Sequence, residues 1–182
     1  MSQEFVASGL DVKAFAKANG VLSRDDPVSN YPRLMEETQG KGGNRLLAWQ
    51  AQGESRTGSS EFQQIWLHLQ ASVTLPMICQ RCLGPADIEV SVAHSFRFVA
   101  TEAQAQAEDE DAEEDVLALQ RDFNLIELIE DELLMAMPVV PRHEVCPIEV
   151  KLAVQDPEFE VDSKAKPNPF AVLAKLQTGK SS

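Results

Sequence analysis

The chain lacks any apolar run long enough to cross a bilayer, a phosphate-cradling glycine loop, a nucleophile elbow, and a histidine pair at metalloenzyme spacing. Those absences argue against a membrane span and the commonest hydrolase and nucleotide-handling constellations. The start, Met1-Ser2-Gln3-Glu4, has neither the basic leader nor the apolar core of an export signal, so a cytoplasmic protein is expected, with no membrane partner. Cysteine is scarce: three in 182 residues, an odd count that leaves no complete disulfide framework and fits a reducing compartment. Bases are the minority charge, 16 Lys and Arg against 29 Asp and Glu, for a net charge of -13. That balance disfavours non-specific nucleic-acid binding by the whole surface. A local basic patch stays compatible where the acids are segregated, and Glu102 to Asp115 gathers many of them. Such a block reads as a solvated, flexible insertion, with shielding of a basic protein partner or mimicry of nucleic acid as the functional alternatives.

What is present centres on Glu61 to Val99. Ile65, Leu67, Leu69, Ala71, Val73 and Leu75 alternate with Trp66, His68, Gln70, Ser72 and Thr74, the period of a half-buried strand. The pattern returns as Ile88, Val90, Val92, His94, Phe96 and Phe98, so the two runs read as an antiparallel pair. On that pattern His94 is a core histidine and His68 an exposed one. The turn between them, Cys79-Gln80-Arg81-Cys82-Leu83-Gly84, has the shape of a zinc knuckle, with the glycine relieving crowding. One knuckle supplies two ligands. Cys146 and, three residues before it, His143 complete a set of Cys79, Cys82, His143 and Cys146, a possible structural zinc site. Two reduced thiols in a turn is the alternative, and a redox pair is disfavoured because no thioredoxin-like strand-helix context surrounds the motif.

The length suits one domain over 1–182. Leu10 to Ala18 has the spacing of a short amphipathic helix closed by Asn19-Gly20, Asp25 to Pro32 is turn-rich, and Arg33 to Gln39 is a second short helical piece. Leu46 to Ala51 alternates weakly as a further strand. The cover for the sheet is Phe123 to Met137, with apolar residues at helical spacing, Asn124 and Glu127 as a capping box, and Pro138 as the stop. Glu127, Glu130, Asp131 and Glu132 are read as its solvated face. The expected fold is therefore α+β, an antiparallel β-sheet covered by helices, with a flexible acidic insertion at 102–115 and a partly ordered C-terminal tail at 157–182. In that tail Pro169 starts a helical turn presenting Phe170, beside the bases Lys164 and Lys166.

Three separated motifs occur in order: Cys79-Gln80-Arg81-Cys82 after a strand; Glu130-Asp131-Glu132-Leu133 running into Met137-Pro138-Val139-Val140-Pro141-Arg142-His143; and Lys166-Pro167-Asn168-Pro169-Phe170-Ala171-Val172-Leu173. Together they resemble the bacterial YceD family of large ribosomal RNA subunit accumulation proteins. The resemblance implies a role in synthesis, processing or stability of the large-subunit (23S) ribosomal RNA. It transfers no catalytic residues. The first mechanism is a non-enzymatic factor that binds rRNA, a pre-ribosomal particle or a ribosomal protein, with Arg81, Arg142, Lys166, Asn168 and Phe170 as candidate RNA or partner contacts. The alternatives are a metal-dependent RNA-processing hydrolase, which needs an open coordination position, and a protein-protein adaptor acting on the RNA indirectly.

Overall fold

A computed structural model describes residues 4–57 and 63–149; the tail at 157–182, with Lys166, Asn168 and Phe170, lies outside them. The element order is α1 (Val12–Lys17), β1 (Val21–Pro27), α2 (Pro32–Glu37), β2 (Leu46–Thr57), β3 (Gln63–Ile78), β4 (Pro85–Val99), α3 (Glu102–Asp109), β5 (Asp115–Ala118) and α4 (Leu125–Ala136). The strands form one sheet in the order β1-β2-β3-β4-β5. This is the expected α+β architecture.

β3 and β4 pair antiparallel from Ile65↔Phe98 to Ile78↔Pro85, so the alternating residues of both strands fall on shared faces. One face is buried: Leu67, Leu69, Leu75 and Phe96 pack with Phe15, Leu34, Leu125, Ile129 and Leu133 from the helices. The opposite face carries Gln50, Gln70, Ser72, Ser91 and Ser95, all exposed.

Two strands depart from the sequence reading. β1 occupies part of the stretch expected as turns; its Ser-Arg-Asp-Asp-Pro run hides a strand because it lies at the sheet edge, where polar residues and a terminal proline are tolerated. What fixes it is Asp26, whose carboxylate accepts from the Trp49 indole at 2.7 Å and from the Tyr31 hydroxyl at 3.2 Å. β5 pairs parallel with β4, making the sheet mixed, with α3 as the crossover. The acidic stretch thus contains regular structure: Thr101 caps α3 by accepting from the Gln104 amide, and Arg97 binds Glu108 at 2.6 Å and Glu114 at 2.5 Å. One half-buried guanidinium offsets two of the acids, and Val99, Ala105 and Val116 form a small apolar cluster beneath.

α1 ends in a Schellman motif. Asn19, not Gly20, takes the left-handed position at φ 48°, and the Gly20 amide donates to the Phe15 carbonyl at 2.9 Å. Glycine is required at 20 and 53 for space instead: a Cβ on Gly20 would lie 2.3 Å from the Phe15 ring, and one on Gly53 2.7 Å from the ring and 2.8 Å from the Ala16 backbone. Because the obstacle at Gly53 includes main chain, Gly53→Ala forces α1 off β2. A loss of about 1–3 kcal/mol is expected, the usual cost of overpacking, read by urea denaturation. A change under about 0.5 kcal/mol would mean that α1 shifts freely, contrary to this packing.

Candidate metal centre

The β3-β4 connection brings Cys79 and Cys82 together in a tight turn. The Cys79 amide donates to the Gly84 carbonyl at 2.9 Å and the Leu83 amide to the Cys79 carbonyl at 2.8 Å. Leu83 itself carries the left-handed backbone, at φ 58°, so the conformational burden expected of Gly84 falls one residue earlier. Beyond α4, Pro138 ends the helix and the chain returns across the knuckle, where the Gln80 amide donates to the Pro141 carbonyl at 2.8 Å. This return delivers His143 and Cys146.

The four expected ligand atoms do converge, all within 4.8 Å of one another. Cys79 Sγ lies 3.9 Å from Cys146 Sγ, and Cys82 Sγ lies 3.4 Å from His143 Nδ1. A tetrahedral zinc with Zn–S of about 2.3 Å and Zn–N of about 2.0 Å has S···S edges near 3.8 Å and S···N edges near 3.5 Å. The two separations match both edge types. His143 Nε2 is 2.9 Å from the Pro85 carbonyl oxygen, which can only accept, so Nε2 carries the proton and Nδ1 presents its lone pair to the sulfurs. All three cysteines are free thiols, with Cys79 fully buried.

The surroundings favour a thiolate. Burial pushes the Cys79 thiol up, but hydrogen bonds from the backbone at Cys82, His143 and Arg81 outweigh it and bring the group down to about 5. Cys82 moves the other way: the backbone at Gly84 pulls it down, while desolvation and the neighbouring Cys79 and Cys146 sulfurs raise it. Arg81 braces the arrangement, donating from Nε to Cys146 Sγ at 3.0 Å and from Nη2 to the carbonyls of His143 and Glu144 at 3.0 and 3.2 Å. Three thiols, one imidazole and an outer ring of donors make a Cys₃His set that fits a structural zinc. Four protein ligands close a tetrahedral ion and leave no position for a reacting water.

Of the candidate contact residues, Arg81 is exposed but its donors are turned onto the ligand loop, whereas Arg142, next to His143, is exposed at the surface. Val139, Val140, Val145 and Ile148, in the same segment of the chain, are exposed too. Of the four acids of α4 read as a solvated face, Glu127 and Asp131 are exposed as expected and the other two are not. Glu130 and Glu132 are buried, at 5% and 3% exposure. The Glu130 carboxylate accepts from the Arg33 and Leu34 amides and from Arg33 Nε, while Glu132 is hydrogen-bonded to His94. His94 in turn is half exposed rather than in the core, and His68 is half-buried, set between Ser95 and Glu54. The buried carboxylates had no local signal, since the groups that hold them come from distant segments.

Residues 67–177 match the family described as Large ribosomal RNA subunit accumulation protein YceD. A curated relative of that name from Haemophilus influenzae is 33% identical over 111 residues, covering 59% of this chain and 63% of the relative, so the chain spans less than two thirds of that protein's length. No solved structure matches. The matched stretch runs from β3 through α4 and contains all four candidate metal ligands.

Proposed function

The chain belongs to the YceD family, and from that premise we propose that it is a non-enzymatic cytoplasmic factor supporting synthesis, processing or stability of the 23S ribosomal RNA. It acts by binding a pre-ribosomal particle, the RNA itself or a ribosomal protein. The observation that carries this reading is the return segment after α4. The knuckle ligands tie it to the sheet end, and it offers Arg142 among exposed Val139, Val140 and Val145. A fixed base amid exposed apolar side chains suits a nucleoprotein surface, where a phosphate contact positions and apolar contact adds area. The closed Cys₃His set supports a structural rather than hydrolytic metal.

Crosslinking of the tagged chain in growing cells, with sequencing of bound RNA and mass spectrometry of bound protein from the same sample, tests the proposal. A discrete peak on the large-subunit RNA, or enrichment of large-subunit proteins, is expected, reduced at least fivefold by Arg142→Glu. Arg142 is the residue to change because Arg81 also braces the ligand loop. Recovery of neither class of partner would overturn the reading.

A further inference from the structure

We propose that the protein has a second divalent-cation site, built from oxygen and nitrogen ligands, where β4, β5 and α4 meet: His94, Asp115 and Glu132. Their ligand atoms lie within 4.8 Å of one another although the residues come from three elements well separated in sequence. The parallel pairing sets Asp115 opposite Phe96, two residues along the same face from His94, and α4 packs across that face.

The feature that asks for a cation is Glu132. Its side chain is only 4% exposed, and among the described residues its hydrogen-bond partner is His94, itself 51% exposed. Glu130, two residues earlier, is held by two amides and a guanidinium, whereas Glu132 has the imidazole of His94. Among the described residues no Lys or Arg pairs with Glu132 or Asp115. A carboxylate withdrawn from water and left beside a second carboxylate is costly unless positive charge joins them. An imidazole alone supplies that charge only when protonated, whereas a metal ion supplies it with the imidazole neutral.

One imidazole and two carboxylates are a borderline-to-hard donor set, suited to a Mn²⁺-like ion and unlike the thiolate-rich set of the knuckle. Two of the three ligands, His94 and Asp115, also line a cavity of about 390 Å³ together with Ala93, Ser95, Glu113 and Glu114, which has room for the water ligands such an ion keeps. Glu114 is already engaged by Arg97, so the cavity acids are not equivalent.

The test is Mn²⁺ titration of the full chain, first loaded with one equivalent of zinc so that the cysteine set is occupied, followed by electron paramagnetic resonance. One Mn²⁺ per chain is expected, with nitrogen hyperfine coupling from a single imidazole. His94→Ala and Asp115→Asn should each weaken binding at least tenfold, and Glu110→Gln, on the same acidic stretch but outside the triad, should leave it unchanged. Both tested side chains are exposed, and Asp115→Asn leaves the packing untouched; His94→Ala also removes the hydrogen bond to buried Glu132, so His94→Gln, which keeps a donor, is measured beside it and should weaken binding as well, with Glu132→Gln the harsher variant. Binding only at millimolar Mn²⁺, no nitrogen coupling, or affinity that survives His94→Ala would overturn the proposal.

Discussion

Glu130→Ala should lower the unfolding free energy by about 3 kcal/mol. α2 begins at Pro32, and its N-cap residue, Tyr31, makes no side-chain capping bond. The first turn of a helix exposes amides that need acceptors. Here they find one on another helix: Glu130 Oε1 accepts from Arg33 N at 2.7 Å and from Leu34 N at 3.2 Å, while Oε2 accepts from Arg33 Nε at 2.9 Å. Truncation strands the Leu34 amide, in a fully buried residue, and weakens the tie between α2 and α4. Each orphaned buried donor costs about 1–3 kcal/mol. The guanidinium adds little to the sum, because Arg33 is 45% exposed and rehydrates when its partner is removed. Glu130→Gln keeps one acceptor oxygen and should cost about 1 kcal/mol, and Asp131→Ala, at an exposed ion pair, less than about 0.5 kcal/mol. Urea denaturation monitored by circular dichroism at neutral pH ranks the three. If Glu130→Ala costs no more than Asp131→Ala, the carboxylate does not cap α2.

The same residue marks the boundary of what the sequence discloses. Period-2 alternation over Ile65–Leu75 and Ile88–Phe98 determines strand type and face, because every second side chain must enter one core; the observed register obeys it along both strands. α4 was equally plain, since Asn124 at its start and Pro138 after its end act through local chemistry. The metal set was readable for a different reason: soft ligands are so rare in this chain that their spacing constrains how they can be combined. Polar interactions between distant segments leave no comparable trace. Arg33 and Glu130 stand 97 positions apart, and nothing near either says that the carboxylate turns inward. β1 escaped detection because its strand character depends on Asp26 meeting Trp49, and β5 because four residues of strand sit beside an acidic run whose composition argues for solvation.

Purified from zinc-containing medium, the chain should carry about one zinc, and Cys79→Ser should reduce it below a tenth of an equivalent, with a fall in Tm on the order of 10 °C. Cys79 is the ligand to change because it is fully buried, is held towards the thiolate by surrounding backbone groups, and accepts the turn-closing Leu83 amide on its own carbonyl. A serine hydroxyl keeps that backbone bond but is a poor ligand for zinc in a thiolate-rich set. The released free energy is local. Without the ion, three sulfurs and His143 lose the charge that gathers them, and among the described residues the return segment is left with the Gln80–Pro141 bond, the Arg81 contacts and the His143–Pro85 hydrogen bond to hold it on the sheet. Hydrogen exchange should therefore show lost protection at Gln80 and Leu83, while the central β3-β4 ladder stays protected. Chelation of the unmodified protein should reproduce the pattern, and zinc should reverse it, which separates loss of metal from damage done by the substitution. If instead the cysteines are only reduced thiols in a turn, Cys79→Ser costs about 1 kcal/mol, the chelator changes nothing, and exchange at Leu83 is indifferent to zinc. The position of Arg142 depends on the same clamp, so Cys79→Ser should weaken partner crosslinking as much as Arg142→Glu does, though Arg142 itself is unchanged.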